Sequence, residues 1–102
     1  VPVIISENGM ANVDFLMDDG CVHDPQRIQY MKWYLRGLKR AAEEGYPVLG
    51  YMAWSIMDNF EWALGYDKRF GLVYVDYNTQ KRIPKDSALW YAEVIKANGE
   101  NI

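Results

Sequence analysis

A short, mostly apolar run from Val48 to Trp54 follows Pro47 and stops against a segment dense in aromatic rings and carboxylates. Helical periodicity would need more length, so the run reads as a strand covered on both faces. The segment after it, Ser55 to Tyr66, holds Asp58, Phe60, Glu61 and Trp62, and is too polar to be core. Flat apolar faces beside carboxylate acceptors match the C–H patches and hydroxyls of a sugar ring. Such aromatics also occur as ordinary core residues, and carboxylates as loop solvation or helix caps, so the rest of the chain has to decide.

A second strand opens the chain. Val3-Ile4-Ile5 is β-branched, follows a proline tolerated at a strand's start, and ends in Ser6-Glu7-Asn8-Gly9, where Asn8-Gly9 is a turn signal. Between the two strands lies one helix. Asp24-Pro25 reads as an N-cap followed by proline at the first helical position. Ile28, Met31, Leu35, Leu38 and Ala42 then form one apolar stripe, with Arg27, Lys32, Arg36, Lys39, Arg40 and Glu43 mostly off it as a solvated face. Gly45 and Pro47 end the helix.

Strand, loop, helix and strand make a βαβ unit, so the strands should be parallel with a right-handed crossover. Both strands then end on one edge of the sheet, and Glu7 converges with the Trp54-to-Trp62 cluster. The long connection from Met10 to His23, with a turn at Asp18-Asp19-Gly20, has the length of a lid or binding wall. His23 is expected to make a local polar contact. Beyond the cluster, Leu72–Tyr77 and the polar turn Asn78–Arg82 suggest a hairpin. Lys68 and Arg69 lack a glycine-rich cradle and read as surface ion-pairing residues. A last helix, introduced by Pro84 and Asp86-Ser87, should run to about Ala97 with Ala88, Tyr91, Ala92 and Ile95 facing inward.

Composition excludes several classes. A net charge of −3 over 102 residues, with no basic run, argues against nucleic acid or an anionic membrane as partner. No apolar run approaches a membrane span. The one cysteine, Cys21, cannot form an internal disulfide, and no Cys/His cluster has zinc-site spacing; no metal and no cofactor are expected. This usage fits a reducing, cytoplasmic compartment. The chain opens abruptly inside a strand, so a targeting signal in a natural N-terminus cannot be assessed.

These motifs together resemble family 1 glycoside hydrolases, the β-glucosidases and their relatives. Ile5-Ser6-Glu7-Asn8-Gly9 is similar to the family's strand-end nucleophile signature. Ala53-Trp54-Ser55, Asp58-Asn59-Phe60-Glu61-Trp62, Lys68-Arg69-Phe70-Gly71, Val75-Asp76-Tyr77 and Arg82-Ile83-Pro84-Lys85 follow its last strand and C-terminal run in order and spacing. The resemblance covers essentially the whole chain. It implies an α/β fold in which residues 1–102 are a single partial domain: the C-terminal quarter of a (β/α)8 TIM barrel, strands seven and eight with their helices.

By the same resemblance Glu7 is the nucleophile, Trp54 stacks under the glycone, and Glu61 accepts from hydroxyls at C4 and C6. Trp62 offers its indole N–H to a neighbouring hydroxyl, and Phe70 lines the C6 side. The implied partner is a β-glucoside or related β-glycoside. The 6-phospho-β-glycosidases are similar here but usually carry a small hydroxyl residue in place of Glu61 and a tyrosine in place of Phe70, and a glutamate would repel phosphate.

Retention requires two carboxyl groups about 5–5.5 Å apart. The family's acid/base lies in an Asn-Glu-Pro motif on an earlier strand, and no such tripeptide occurs in this chain. A full barrel takes about 250 residues. The reading is therefore a fragment that carries the nucleophile, needs the rest of the barrel for activity and, alone, exposes sheet edges and an apolar face. The alternative is a non-catalytic sugar-binding or structural fragment, and a further alternative is a fragment of a 6-phospho-β-glycosidase.

Overall fold

The computed structural model describes residues 1–102 as an α/β unit with two short sheets and two helices. Strand β1 (Val3–Asn8) pairs in parallel with β2 (Val48–Ala53), joined by helix α1 (Pro25–Glu43). A single 3-10 turn, Trp62–Leu64, precedes the antiparallel hairpin of β3 (Val73–Val75) and β4 (Arg82–Pro84). Helix α2 (Asp86–Lys96) closes the order. Two strands cannot close a barrel, and this architecture is that of a partial, unclosed (β/α)8-like unit.

The parallel pairing has the consequence the sequence implied: both strands end on one edge. Their ends are tied closely, since the Trp54 amide donates to the Asn8 carbonyl at 2.7 Å. Asn8 is held from two further sides, accepting from the Tyr51 hydroxyl at 2.8 Å and donating to the Tyr30 hydroxyl of α1 at 3.2 Å. Glycine at position 9 is a packing requirement, because a Cβ there would stand 1.8 Å from the Trp54 carbonyl oxygen. Residues past β2 then run beside the hairpin segment: Ser55 donates to Phe70 O, Leu72 to Ser55 O, and Asp58 to Val73 O, at 2.9–3.0 Å.

Several elements depart from the sequence reading. The β2 run was expected to be covered on both faces, yet Leu49 and Met52 are 69% and 53% exposed, and Ile4 of β1 is 48% exposed. The helices cover one face of this two-stranded sheet, and no further layer meets the other. The strand itself stops at Ala53, and the Trp54–Ser55 peptide bond is cis. In α1 the stripe holds at Met31 and Leu35, whose burial contributes about 2 kcal/mol each. Ala42, at the stripe's end, is exposed.

Arg27, assigned to the solvated face, is instead buried, and Lys39 is half-buried with its ammonium on the carbonyls of Gly99 and Ile102. In α2 the inward residues are Ser87 and Val94, while Ala92 and Ile95 are exposed. Ala88 and Tyr91 are half-buried, and Tyr91 and Ile95 line a cavity with Leu35 and Val94, so the expected stripe holds in part. Pro84 ends β4 instead of introducing that helix. The hairpin turn is built as its polar residues imply: the Asp76 carboxylate accepts from the amides of Asn78 and Thr79.

Glycine positions separate packing from propensity. Gly9→Ala is expected to destabilise by about 3 kcal/mol through overpacking against Trp54. Gly37→Ala, on an open helical position with nothing within 4 Å of a Cβ, is expected to stabilise by about 0.5–1 kcal/mol. Urea denaturation of the two variants against the parent chain checks both signs.

Candidate active site

The edge where β1 and β2 end carries most of the residues singled out from the sequence. Trp54, Asn59, Phe60, Glu61 and Trp62 line one shallow open cavity of about 340 Å³. Trp62 is 84% exposed and Phe60 60%, so neither ring is part of this chain's core. Glu7 stands exposed on β1, one residue before the Asn8 anchor, outside the lining of this cavity. Phe70 is half-buried and also outside it, placed by its carbonyl's bond to the Ser55 amide.

The segment bearing Glu61 and Trp62 is closed on itself. The Glu61 amide donates to Gly65 O at 2.7 Å, and the Leu64 amide donates to Glu61 O at 2.8 Å. Trp62 sits at φ +43°, a conformation that costs a non-glycine residue about 1 kcal/mol and persists only where surrounding structure imposes it. Two closing hydrogen bonds impose it here. The indole N–H of Trp54 is buried without an acceptor in this chain.

Asp58 belongs to a different class from Glu61, although the sequence grouped the two carboxylates. It is 3% exposed and accepts from Arg69 Nη1, Lys85 Nζ and the Gly71 and Val75 amides, at 2.5, 2.7, 3.0 and 3.4 Å. A carboxylate so saturated cannot exchange a proton with substrate. It fixes the start of the loop. A Cβ on Gly71 would stand 2.2 Å from the Asp58 amide, so that position is closed to larger residues.

The network extends through residues the sequence did not flag. Lys85 Nζ also donates to Asp14 at 2.6 Å, and Asp14 meets Arg27 Nη2 at 2.7 Å. Arg27 pairs in turn with Asp24. Asp24 is the N-cap residue of α1, as expected, but its side chain makes no cap hydrogen bond there. Its carboxylate instead accepts the amide and hydroxyl of Ser87, and so caps the first turn of α2. Burial alone would raise the Asp14 pKa, but bonds from Arg27 and Lys85 overcome it and hold the carboxyl below its usual range.

Arg69, read from sequence as a surface ion-pairing residue, belongs to this interior cluster: its guanidinium is paired with fully buried Asp58. The loop from Met10 to His23 is likewise no free lid. Asn12 bonds Arg69 O, and Asp14 is buried in the cluster, while Phe15, Leu16 and Met17 remain exposed at its tip.

His23 makes the local polar contact expected of it, with Nε2 at 2.7 Å from Asp19 and Nδ1 at 2.6 Å from Asp86. The side-chain donors of Asp19, Cys21 and His23 lie within 4.8 Å of one another, a grouping that the spacing Cys21-Val22-His23 did not suggest. Both ring nitrogens of His23 are already engaged by carboxylates, which accounts for the cluster as an ion-paired triad. No helix is long and apolar enough to cross a membrane.

Comparison with known proteins settles the lineage. The family model described as glycosyl hydrolase family 1 matches residues 1–100. The chain belongs to that family. Beta-glucosidase A of Thermotoga maritima is 57% identical over 97 residues, which are 95% of this chain and 22% of the relative. The bifunctional beta-D-glucosidase/beta-D-fucosidase of Bifidobacterium breve is 54% identical, over 93% of this chain and 22% of its own length. Among solved structures, the Thermotoga maritima beta-glucosidase in complex with deoxynojirimycin superposes with a TM-score of 0.94 at 56% identity, covering 96% of this chain and 22% of that one. The chain thus spans about a fifth of the length of the relatives it matches.

Two measurements test the charge network. Lys85→Met would leave Asp14 and Asp58 facing each other without their shared cation, and is expected to destabilise by about 3–5 kcal/mol in urea denaturation. His23 is pushed up from 6.5 to about 9 by its hydrogen bonds to Asp19 and then Asp86. A raised folded-state pKa means that the linked stability is fully present below about 6.5 and is lost as pH rises through about 9. An NMR titration of the imidazole protons is expected to give a midpoint near 9, and a midpoint near 6.5 would show that the two carboxylates do not hold the ring.

Proposed function

We propose that this chain is the C-terminal part of a retaining β-glycosidase of the β-glucosidase type, with β1 and β2 as strands seven and eight of the barrel. The convergence of Glu7 with the Trp54, Glu61 and Trp62 cluster on one sheet edge carries this reading, since the two come from strands about 45 residues apart. In the complete protein the Glu7 carboxylate attacks the anomeric carbon, the bond to the aglycone oxygen breaks, and a glycosyl ester forms on Glu7. A carboxylic acid from another part of the barrel protonates the leaving oxygen. As a carboxylate it then takes a proton from the water that cleaves the ester.

None of the acids near Glu7 suits that second role. Asp58 is saturated by Arg69, Lys85 and two amides. Glu61 serves the glycone, accepting from its C4 and C6 hydroxyls beside Trp54, Trp62 and Phe70, and its charge disfavours a 6-phosphate. The 102 residues are one partial domain, inactive alone. The exposed apolar side chains of Ile4, Leu49 and Met52 support a surface made to meet the remaining strands and helices.

The test is hydrolysis of a chromogenic β-glucoside by the chain alone and after assembly with the N-terminal portion of the Thermotoga maritima relative. Turnover is expected only in the assembly and is expected to vanish with Glu7→Gln while sugar binding persists. Turnover by the chain alone, or unchanged turnover in the Glu7→Gln assembly, would overturn the assignment.

A further inference from the structure

One largely buried cation touches the start of the loop that bears Glu61 and Trp62 and, through one tyrosine ring, reaches its end. Arg69 Nη1 bonds Asp58 at the start of that loop at 2.5 Å, and also Val75 O at 2.9 Å. Its guanidinium carbon lies 4.2 Å from the ring centre of Tyr74 and 4.5 Å from that of Tyr77. Tyr77 continues the stack. Its ring centre is 4.6 Å from Tyr66 at the loop's end, and Tyr66 meets Phe60 edge-on at 5.4 Å.

Glu61 and Trp62 therefore stand between two anchored points, Asp58 and the Phe60–Tyr66 pair, both of which lead back to Arg69. The backbone of Arg69 is fixed as well, because its carbonyl accepts from Arg27 Nη2 at 2.8 Å and from the Asn12 amide at 3.0 Å. Its place thus depends on the loop that follows β1 and on α1.

We propose that Arg69 is a positioning residue for sugar recognition: by pairing with Asp58 and stacking on Tyr77 it sets the Glu61–Trp62 loop at the distance from the sheet edge that the glycone requires. The proposal rests on the glycosidase reading above and adds a residue to it that does not touch the sugar. A guanidinium is needed, because its Nη1 bonds Asp58 and Val75 O while the rest of the group stays against the rings of Tyr74 and Tyr77. An ammonium at the position of Nη1 can make the same bonds but leaves no group against the two rings.

Arg69→Lys keeps the charge and removes the geometry. In the assembled barrel, its kcat/KM on a β-glucoside is expected to fall about tenfold, chiefly through KM, the loss of one well-placed charge-assisted hydrogen bond. On the matching β-xyloside, which lacks the C6 hydroxymethyl group, the fall is expected to be less than about threefold. The glucoside-to-xyloside ratio is independent of the fraction of folded protein, so a merely structural role would leave it unchanged.

In a Glu61→Gln background the same substitution is expected to cost less than about twofold, the non-additivity of residues that act through one another. An unchanged ratio, or additive losses, would overturn the role of Arg69 while leaving the glycosidase reading intact. An assembly with Glu7 present that cleaves neither sugar would fail that reading instead. Amide hydrogen exchange then decides the placement: in the Arg69→Lys full chain, residues 58–66 are expected to lose protection while β1 and β2 keep theirs, and equal protection in both would overturn it.

Discussion

Lys85 lies fully buried between two fully buried carboxylates, those of Asp14 and Asp58, and much of the chain is hung on that contact. Three charges out of water are costly unless each is paired and hydrogen-bonded. Here each is. Asp14 adds Arg27, Asp58 adds Arg69 and two amides, and Arg27 adds Asp24, which ends on the first turn of α2. The sequence positions so joined run from 14 to 87, which no local interaction could bring together. Such a cluster is satisfied only in one arrangement, and this makes it a register for the elements around it more than a source of net stability.

The apolar core is small by comparison. Val22, Met31, Leu35, Leu72, Val75 and Val94 are the buried hydrophobic residues, while Ile4, Leu49, Met52 and several aromatics stand open. The imbalance is what a part of a barrel presents. Each strand of a closed barrel is flanked on both sides and has a filled interior, and a two-stranded piece has neither. The relatives it matches are about five times its length.

The candidate site divides along the same line. One wall is complete within the chain: Trp54, Glu61 and Trp62 are set by the hydrogen bonds after β2, and the loop that bears two of them is tied to the interior cluster through Asp58. Glu7 occupies the neighbouring strand end, outside that wall. A polar interior thus lies beneath an exposed aromatic surface and fixes the backbone that carries it.

The sequence by itself determined the element order, the βαβ topology and the polar hairpin turn, because these rest on local signals: β-branched runs, a proline at a helix start, and turn residues. It also placed Glu7 and the aromatic cluster on one edge, since parallel strands joined by a helix must end together. It misread Arg27 and Arg69 as solvated or surface groups, placed Asp24 at the start of α1 without showing that its side chain turns to α2, passed over Asp14, and quoted Lys85 in a motif without a structural role. Charge and spacing look the same whether a residue faces water or a partner seventy positions away. Only the tertiary structure could decide that, since burial of an ion depends on which opposite charge the fold brings to it.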